Sequence, residues 1–168
     1  MSDPTADPAL DRLIRHMAWA NAALFARLAD LPDSALALAS PRNEWTVAMI
    51  IDHVVMAAGG YAARLEGAPR PEETVPPTTV AELAELATRF AAYDARIRAQ
   101  AAAPDGPAGY PYPETVLRAR STILGQAIHH ATEHRAQIAG ALATNGIDVV
   151  DLDALDVWAY GDAEGLGA

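Results

Sequence analysis

Proline and glycine divide this chain into a few long stretches. They cluster at Pro32, at Pro41, from Gly67 to Pro77, from Pro104 to Pro113 and at Asn145-Gly146. Proline cannot continue a helix, and glycine favours the left-handed turn that ends one. The stretches between are rich in Ala, Leu and Arg, which are strong helix formers. No segment shows the alternation of a half-buried strand, and no repeat of solenoid period is present. The chain is therefore read as all-α.

Five helical segments follow from caps and apolar spacing. The first runs from about Pro8 to Leu31, with Asp7 as cap and Leu13, Met17, Ala20, Leu24 and Leu28 as its buried face. The second runs from Val47 to Glu66, between an N-cap at Thr46 and a stop at Gly67. The third runs from Val80 to Ala103. Thr79 and Glu82 form its capping box, and Leu83, Leu86, Phe90 and Ile97 mark its buried side. The fourth runs from Thr122 to Thr144 and stops at Asn145-Gly146. A short helix or turn covers Asp151 to Tyr160. Four long helices predict a four-helix bundle, up-down-up-down with one longer crossover, plus a short C-terminal helix. With 168 residues, the chain is expected to form one domain over residues 1–168.

Composition removes several function classes. Formal net charge is −10, and all twelve basic residues are arginines scattered along the chain. Nothing resembles the basic stripe that displaces counterions from a phosphate backbone, so no nucleic-acid partner is expected. No apolar run reaches the roughly 20 residues of a membrane span. The opening "MSDPTADPAL" has no basic and apolar regions like those of a secretion signal, and a cytoplasmic location is expected. There is no cysteine, so thiol chemistry would need a thiol supplied by a substrate.

Three of the five histidines fall in "GQAIHHATEHRAQIAGAL". On a helical wheel Ile123, Ala127, His130, His134, Ile138 and Ala141 share one stripe. His130 and His134 are four apart, which stacks them on one face about 6 Å apart. In the second segment Ile50, His53, Ala57 and Gly60 also share a stripe. A lone inward histidine is usually a hydrogen-bonded core residue, and His-x-x-x-His alone is a weak motif. Here, however, the pair and a third histidine occupy two apolar faces, beside the small residues Ala57, Gly60, Ala127 and Ala131. Three imidazoles in this arrangement can hold a divalent metal and leave its fourth position open, as in catalytic sites. His53, His130 and His134 are thus the expected ligands. His16 is assigned to the surface or a satisfied core position, and His129 to the helix edge or a supporting role.

Other catalytic patterns are missing. Ala131 stands where an HExxH protease needs its Glu, and no GxSxG, Walker or GxGxxG stretch occurs. Glu133 is expected to point away from the histidine pair, while Asp52 and Glu44 lie near the right segment without an assigned role. Trp45 in "NEWT" reads as an anchor at a helix start.

The motifs resemble the DinB/YfiT-like superfamily of small bacterial helical-bundle metalloproteins. "WTVAMIIDHV" is similar to its Trp-Ser/Thr opening and mid-helix His, and "HHATEHRAQI" to its late His-rich motif. "HMAWANAALFARL" and "IDVVDLDALDVWAY" look like its first and last segments, so the resemblance covers nearly the whole chain. Ala136, Glu133 and His129 depart from the usual residues of the late motif without touching the three ligand positions. The resemblance implies a divalent metal, zinc or nickel, on three histidines, and commonly a homodimer. It also implies a stress-related setting. Characterised relatives include S-transferases and isomerases that use low-molecular-weight thiols. The leading expectation is a metal-dependent, thiol-dependent S-transferase acting on a small-molecule thiol and an electrophile. The alternatives are a metal-dependent hydrolase and a non-enzymatic ligand- or metal-binding protein.

Overall fold

A computed structural model describes residues 7–40, 44–111 and 116–165. The N-terminal "MSDPTA", Pro41, Asn43 of "NEWT" and Pro113 lie outside the described residues. The protein is mostly helical: α1 spans Pro8–Leu28, α2 Val47–Glu66, α3 Leu83–Ala99, α4 Arg120–Thr144 and α5 Val157–Ala163.

Each helix boundary has a local cause. The Asp7 carboxylate accepts from the N–H groups of Ala9 (2.9 Å) and Leu10 (3.1 Å), with Pro8 in the first turn. α1 stops at Leu28, short of the expected Leu31: Leu31 N–H turns back to Leu28 C=O at 3.1 Å, and Pro32 has no N–H with which to continue the helix. α2 keeps both expected ends. Thr46 Oγ1 accepts from Met49 N–H at 3.2 Å, and Gly67 takes the left-handed conformation at φ 66°. Ala68 N–H then reaches Ala63 C=O at 2.9 Å, closing a Schellman turn.

The third segment is shorter than expected at both ends. Val80–Glu82 forms one 3₁₀ turn, held by the Glu82 carboxylate accepting from the N–H groups of Thr78 (2.6 Å) and Thr79 (3.2 Å). Beyond Ala99 the chain tightens into i→i+3 bonds from Gln100, Ala101 and Ala103, just before Pro104. α4 starts two residues before the expected Thr122 and stops at Asn145-Gly146, with Gly146 at φ 81°. The C-terminal segment divides into a 3₁₀ turn, Asp153–Leu155, and α5, which Asp156 caps through Ala159 N–H at 2.8 Å.

A small β pair was not expected. Pro107–Ala108 (β1) pairs antiparallel with Arg118–Ala119 (β2). Two-residue strands are too short to show an alternating pattern. Among the described residues, no helix is long and apolar enough to cross a membrane.

The core lies between the four long helices. Its largest fully enclosed side chains include Ile14, Met17 and Leu24 of α1, Ile50 and Ile51 of α2, Ile97 of α3 and Ile138 of α4. Leu13, expected on the buried face, is 38% exposed, while Ile14 is 0% exposed. The inward stripe of α1 is thus Ile14, Met17, Leu24 and Leu28, with Asn21 among them. α2 packs on α3 and α4, and α1 also packs on α3 and α4. The packed neighbours therefore run α1–α3–α2–α4. α2 thus has α3 and α4 as its principal neighbours. The connections over residues 29–46 and 100–119 are long enough to cross an end of the helical body, and each carries structure of its own. The α2–α4 contact puts His53 opposite His130 and His134.

Candidate metal centre

His53 lies on α2, and His130 and His134 lie one turn apart on α4. His134 is buried, while the other two are partly buried. The Nε2 atom of His130 is 3.1 Å from that of His53 and 3.0 Å from that of His134. All three ligand atoms lie within 4.8 Å of one another. The sequence expectation about which histidines converge thus agrees with the geometry.

The donor chemistry suits a cation. His134 Nδ1 is 2.8 Å from Gln137 Oε1. An amide oxygen only accepts, so Nδ1 carries the proton and the lone pair sits on Nε2, toward the other rings. Three ring nitrogens directed at one point repel each other unless a proton or a cation lies among them. Tetrahedral ligands about 2.0–2.1 Å from a metal stand about 3.3 Å apart, close to the two separations above. Burial, and then the neighbouring histidines, push His130 down to about 4. Burial lowers His53 as well, helped by His134 and opposed by Asp52. Neutral imidazoles are the form that ligates.

The surroundings fix these rings in place. The Trp45 ring meets His53 edge-on at 4.9 Å and stacks along His134 at 6.4 Å, so the expected anchor is also a wall of the site. Tyr61 meets His130 edge-on at 5.7 Å. In front of His53 lies an open cavity of about 490 Å³, walled by Trp45, Met49, Met56, Pro71 and Tyr110. Tyr110 donates to Gly60 C=O at 3.2 Å, and a Cβ at Gly60 would lie 3.0 Å from the Tyr110 hydroxyl. The small residue at 60 therefore admits Tyr110.

The remaining expected positions separate clearly. His16 is buried on α1, with Nε2 2.8 Å from Leu155 C=O, a satisfied core histidine. His129, Glu133 and Glu44 are exposed. Asp52 lines the cavity beside His53 and accepts a hydrogen bond from the Thr74 hydroxyl.

Behind α4 lies a buried polar chain that the sequence reading left without a role. Arg135 Nη1 donates to Asn21 Oδ1 at 2.6 Å, and Asn21 Nδ2 donates to Asp94 Oδ2 at 2.9 Å. All three residues are buried, and together they tie α4 to α1 and α3. Asp94 was detectable in the sequence: it falls on the Phe90–Ile97 stripe, where an apolar residue belongs.

The sequence model of the DinB superfamily matches residues 16–138. This chain belongs to the DinB superfamily. The matched span holds the three histidines, Gln137 and the whole Asn21–Asp94–Arg135 chain. No curated protein matches the sequence. In this DinB-superfamily protein the His53, His130 and His134 group can hold a metal ion.

Gln137 was quoted in the late motif without a role, and the geometry supplies one. It sets the tautomer and orientation of His134. Gln137→Ala is expected to weaken zinc binding by roughly 10- to 100-fold. Competition against a chromophoric chelator measures this, and Gln137→Glu, which keeps an acceptor, should recover most of the affinity. Equal affinities in all three proteins would remove that role.

Proposed function

We propose that this protein holds a divalent cation, zinc or nickel, on His53, His130 and His134, and acts as a thiol-dependent S-transferase. The observation that carries this reading is the convergence of three Nε2 atoms, of which His53 also lines an open cavity large enough for a small organic substrate. A divalent cation at this position supplies Lewis acidity that favours the thiolate form of a thiol. The chain has no cysteine, so that thiol is a substrate. Trp45, Met49, Met56 and Tyr110 give the cavity an apolar, partly aromatic wall against which an organic electrophile can lie, while Asp52, Arg70, Glu73 and Thr74 supply polar groups around it. In the net reaction a sulfur–carbon bond forms and the electrophile's leaving group departs with its bonding electrons. The thiol proton leaves through the open mouth to solvent.

Asp52 favours a second reading, metal-assisted hydrolysis. Its carboxylate lies in the cavity next to His53, where it can take a proton from an attacking water. Ligand storage without turnover is the third reading. The family resemblance extends the proposal to a four-helix-bundle topology, a homodimer, a cytoplasmic location and a stress-related role.

The test incubates zinc- or nickel-loaded protein with a low-molecular-weight thiol and a chloroaromatic electrophile. Metal-dependent loss of free thiol, with one thioether formed per thiol consumed, is expected. Hydrolysis of an ester probe without thiol consumption would favour the Asp52 reading. Metal binding with neither reaction would leave storage.

A further inference from the structure

One side of the cavity in front of His53 is α2. Another is the connection from α2 to α3, which supplies Arg70, Pro71, Glu73, Thr74 and Pro76. Residues 68–77 of that connection have no regular secondary structure. Pro69, Pro71, Pro76 and Pro77 stiffen it, so it moves as a strap and not as a coil. Among the described residues, none of the peptide groups from 69 to 77 makes a backbone–backbone hydrogen bond. Glu72, Glu73, Val75 and Pro76 are exposed. A segment with few buried contacts and no backbone ladder opens more easily than the helices beside it.

Both ends of this strap are fixed. Gly67 ends α2 in its left-handed turn, with Ala68 N–H on Ala63 C=O, and Val80 N–H donates to Asp33 Oδ1 at 2.7 Å. The middle meets α2 at two points. Pro71 lies against Gly59, where a Cβ would stand 2.9 Å from Pro71 Cγ and from the Tyr93 ring. Glycine inside a helix weakens it relative to alanine, so α2 gives up stability for this close seat. At the second point the Thr74 hydroxyl donates to Asp52 Oδ1, on the residue before His53. The Pro71 contact is apolar and lifts without leaving a polar group unpaired. The Thr74–Asp52 bond is directional and holds the strap beside His53. Both partners are only partly buried, so water takes over each group when the bond breaks, which makes it reversible.

We propose that residues 68–77 are a lid over His53, latched by the Thr74–Asp52 hydrogen bond, and that release of this latch admits ligands to the histidine centre. That those ligands are a metal and its substrates rests on the function proposed above; the lid itself does not, and it is measured on metal-free protein.

The test is carbethoxylation of the metal-free full chain by diethyl pyrocarbonate, followed at His53 by fragmentation mass spectrometry, with the exposed His129 as internal reference. Thr74→Val removes the hydroxyl and keeps the shape. It is expected to raise the His53 rate roughly tenfold, the factor that one hydrogen bond to a charged group represents. Thr74→Ser keeps the donor and should stay at the wild-type rate. The chain has no cysteine, so the double substitution Asp52→Cys and Thr74→Cys carries a single disulfide when oxidised. Oxidation should slow His53 below wild type, and reduction should raise it to the Thr74→Val rate, while His129 reacts alike in every sample. Equal His53 rates in wild type and Thr74→Val overturn the proposal, as do equal rates in the oxidised and reduced double variant. A Thr74→Ser rate as high as that of Thr74→Val also overturns it, and so does a His129 rate that rises with His53, which signals general loosening. A parallel zinc-loaded sample separates the two readings: zinc that leaves His53 unprotected removes the metal centre, whereas the lid stands or falls on the metal-free rates.

Discussion

His130→Ala is expected to abolish the metal-dependent rise in melting temperature that the wild-type protein shows. A ligand that binds only the folded state stabilises it by RT ln(1 + [L]/Kd), about 4 kcal/mol when free metal exceeds Kd a thousandfold. For a chain of this size that corresponds to roughly 8–16 °C. His130 is the sensitive position because its Nε2 lies within 3.1 Å of both other Nε2 atoms. Its removal leaves two imidazoles on different helices. His16→Ala is the control, with a refinement that the structure supplies. His16 is buried against Trp19 and Tyr160 and bonds to Leu155 C=O, so its loss lowers the melting temperature by itself. The increment between chelator-treated and zinc-loaded samples should nevertheless stay at its wild-type size. If chelator leaves the wild-type melting curve unchanged, or His130→Ala keeps the full increment, the histidines are core residues and the transferase and hydrolase readings both fall.

The ends of α2 and the three converging histidines were legible because each rests on local spacing. Thr46 and Gly67 carry their own capping chemistry, and i, i+4 on a helix leaves His130 and His134 little choice of relative position. His53 was legible only as facing inward. That it faces α4 depends on which helices are neighbours, and a wheel gives faces, not neighbours. For the same reason the α1–α3–α2–α4 packing order was not foreseen. Leu13 and Ile14 are both apolar, and which of them faces inward depends on the stripe of Met17, Asn21 and Leu24, in which a buried polar residue stands. The overshoot at Leu31 and Ala103 came from reading helix propensity up to the proline, whereas the residues before it turn back through i→i+3 bonds. The β1–β2 pair has no periodic signal at two residues per strand. The polar chain behind α4 was hidden for a further reason. Asn21, Asp94 and Arg135 lie on three different helices, and although Asp94 falls on an apolar stripe, nothing in the sequence names its partners until the packing brings them together.

The stability of the wild type relative to Asp94→Asn should fall as pH rises from about 4 to 7, and then level off. Burial pushes the Asp94 carboxyl up to about 7, against the opposing pull of the Asn21 hydrogen bond and the Arg135 charge. In the unfolded chain the same group titrates near 3.9. Between those values the folded state holds the proton that the unfolded state has released, so each rise in pH favours unfolding. Above about 7 both states are ionised and the difference stops growing. Three pH units at about 1.4 kcal/mol per unit give an upper bound of roughly 4 kcal/mol. Asparagine does not titrate, and its amide oxygen can still accept from Asn21. The variant therefore lacks this slope. Denaturant unfolding of both proteins at intervals from pH 4 to 8, with chelator present throughout, isolates the effect, because the histidines titrate alike in both and cancel in the difference. A wild-type–variant difference that stays constant over this range would mean that Asp94 is ionised at all these pH values or has lost its burial. The expected slope makes Asp94 a residue that weakens the folded state at neutral pH while holding α3, through Asn21 and Arg135, against α1 and α4. A group with that net effect is explained by what it positions, the Arg135–Asn21–Asp94 chain that joins α4, α1 and α3.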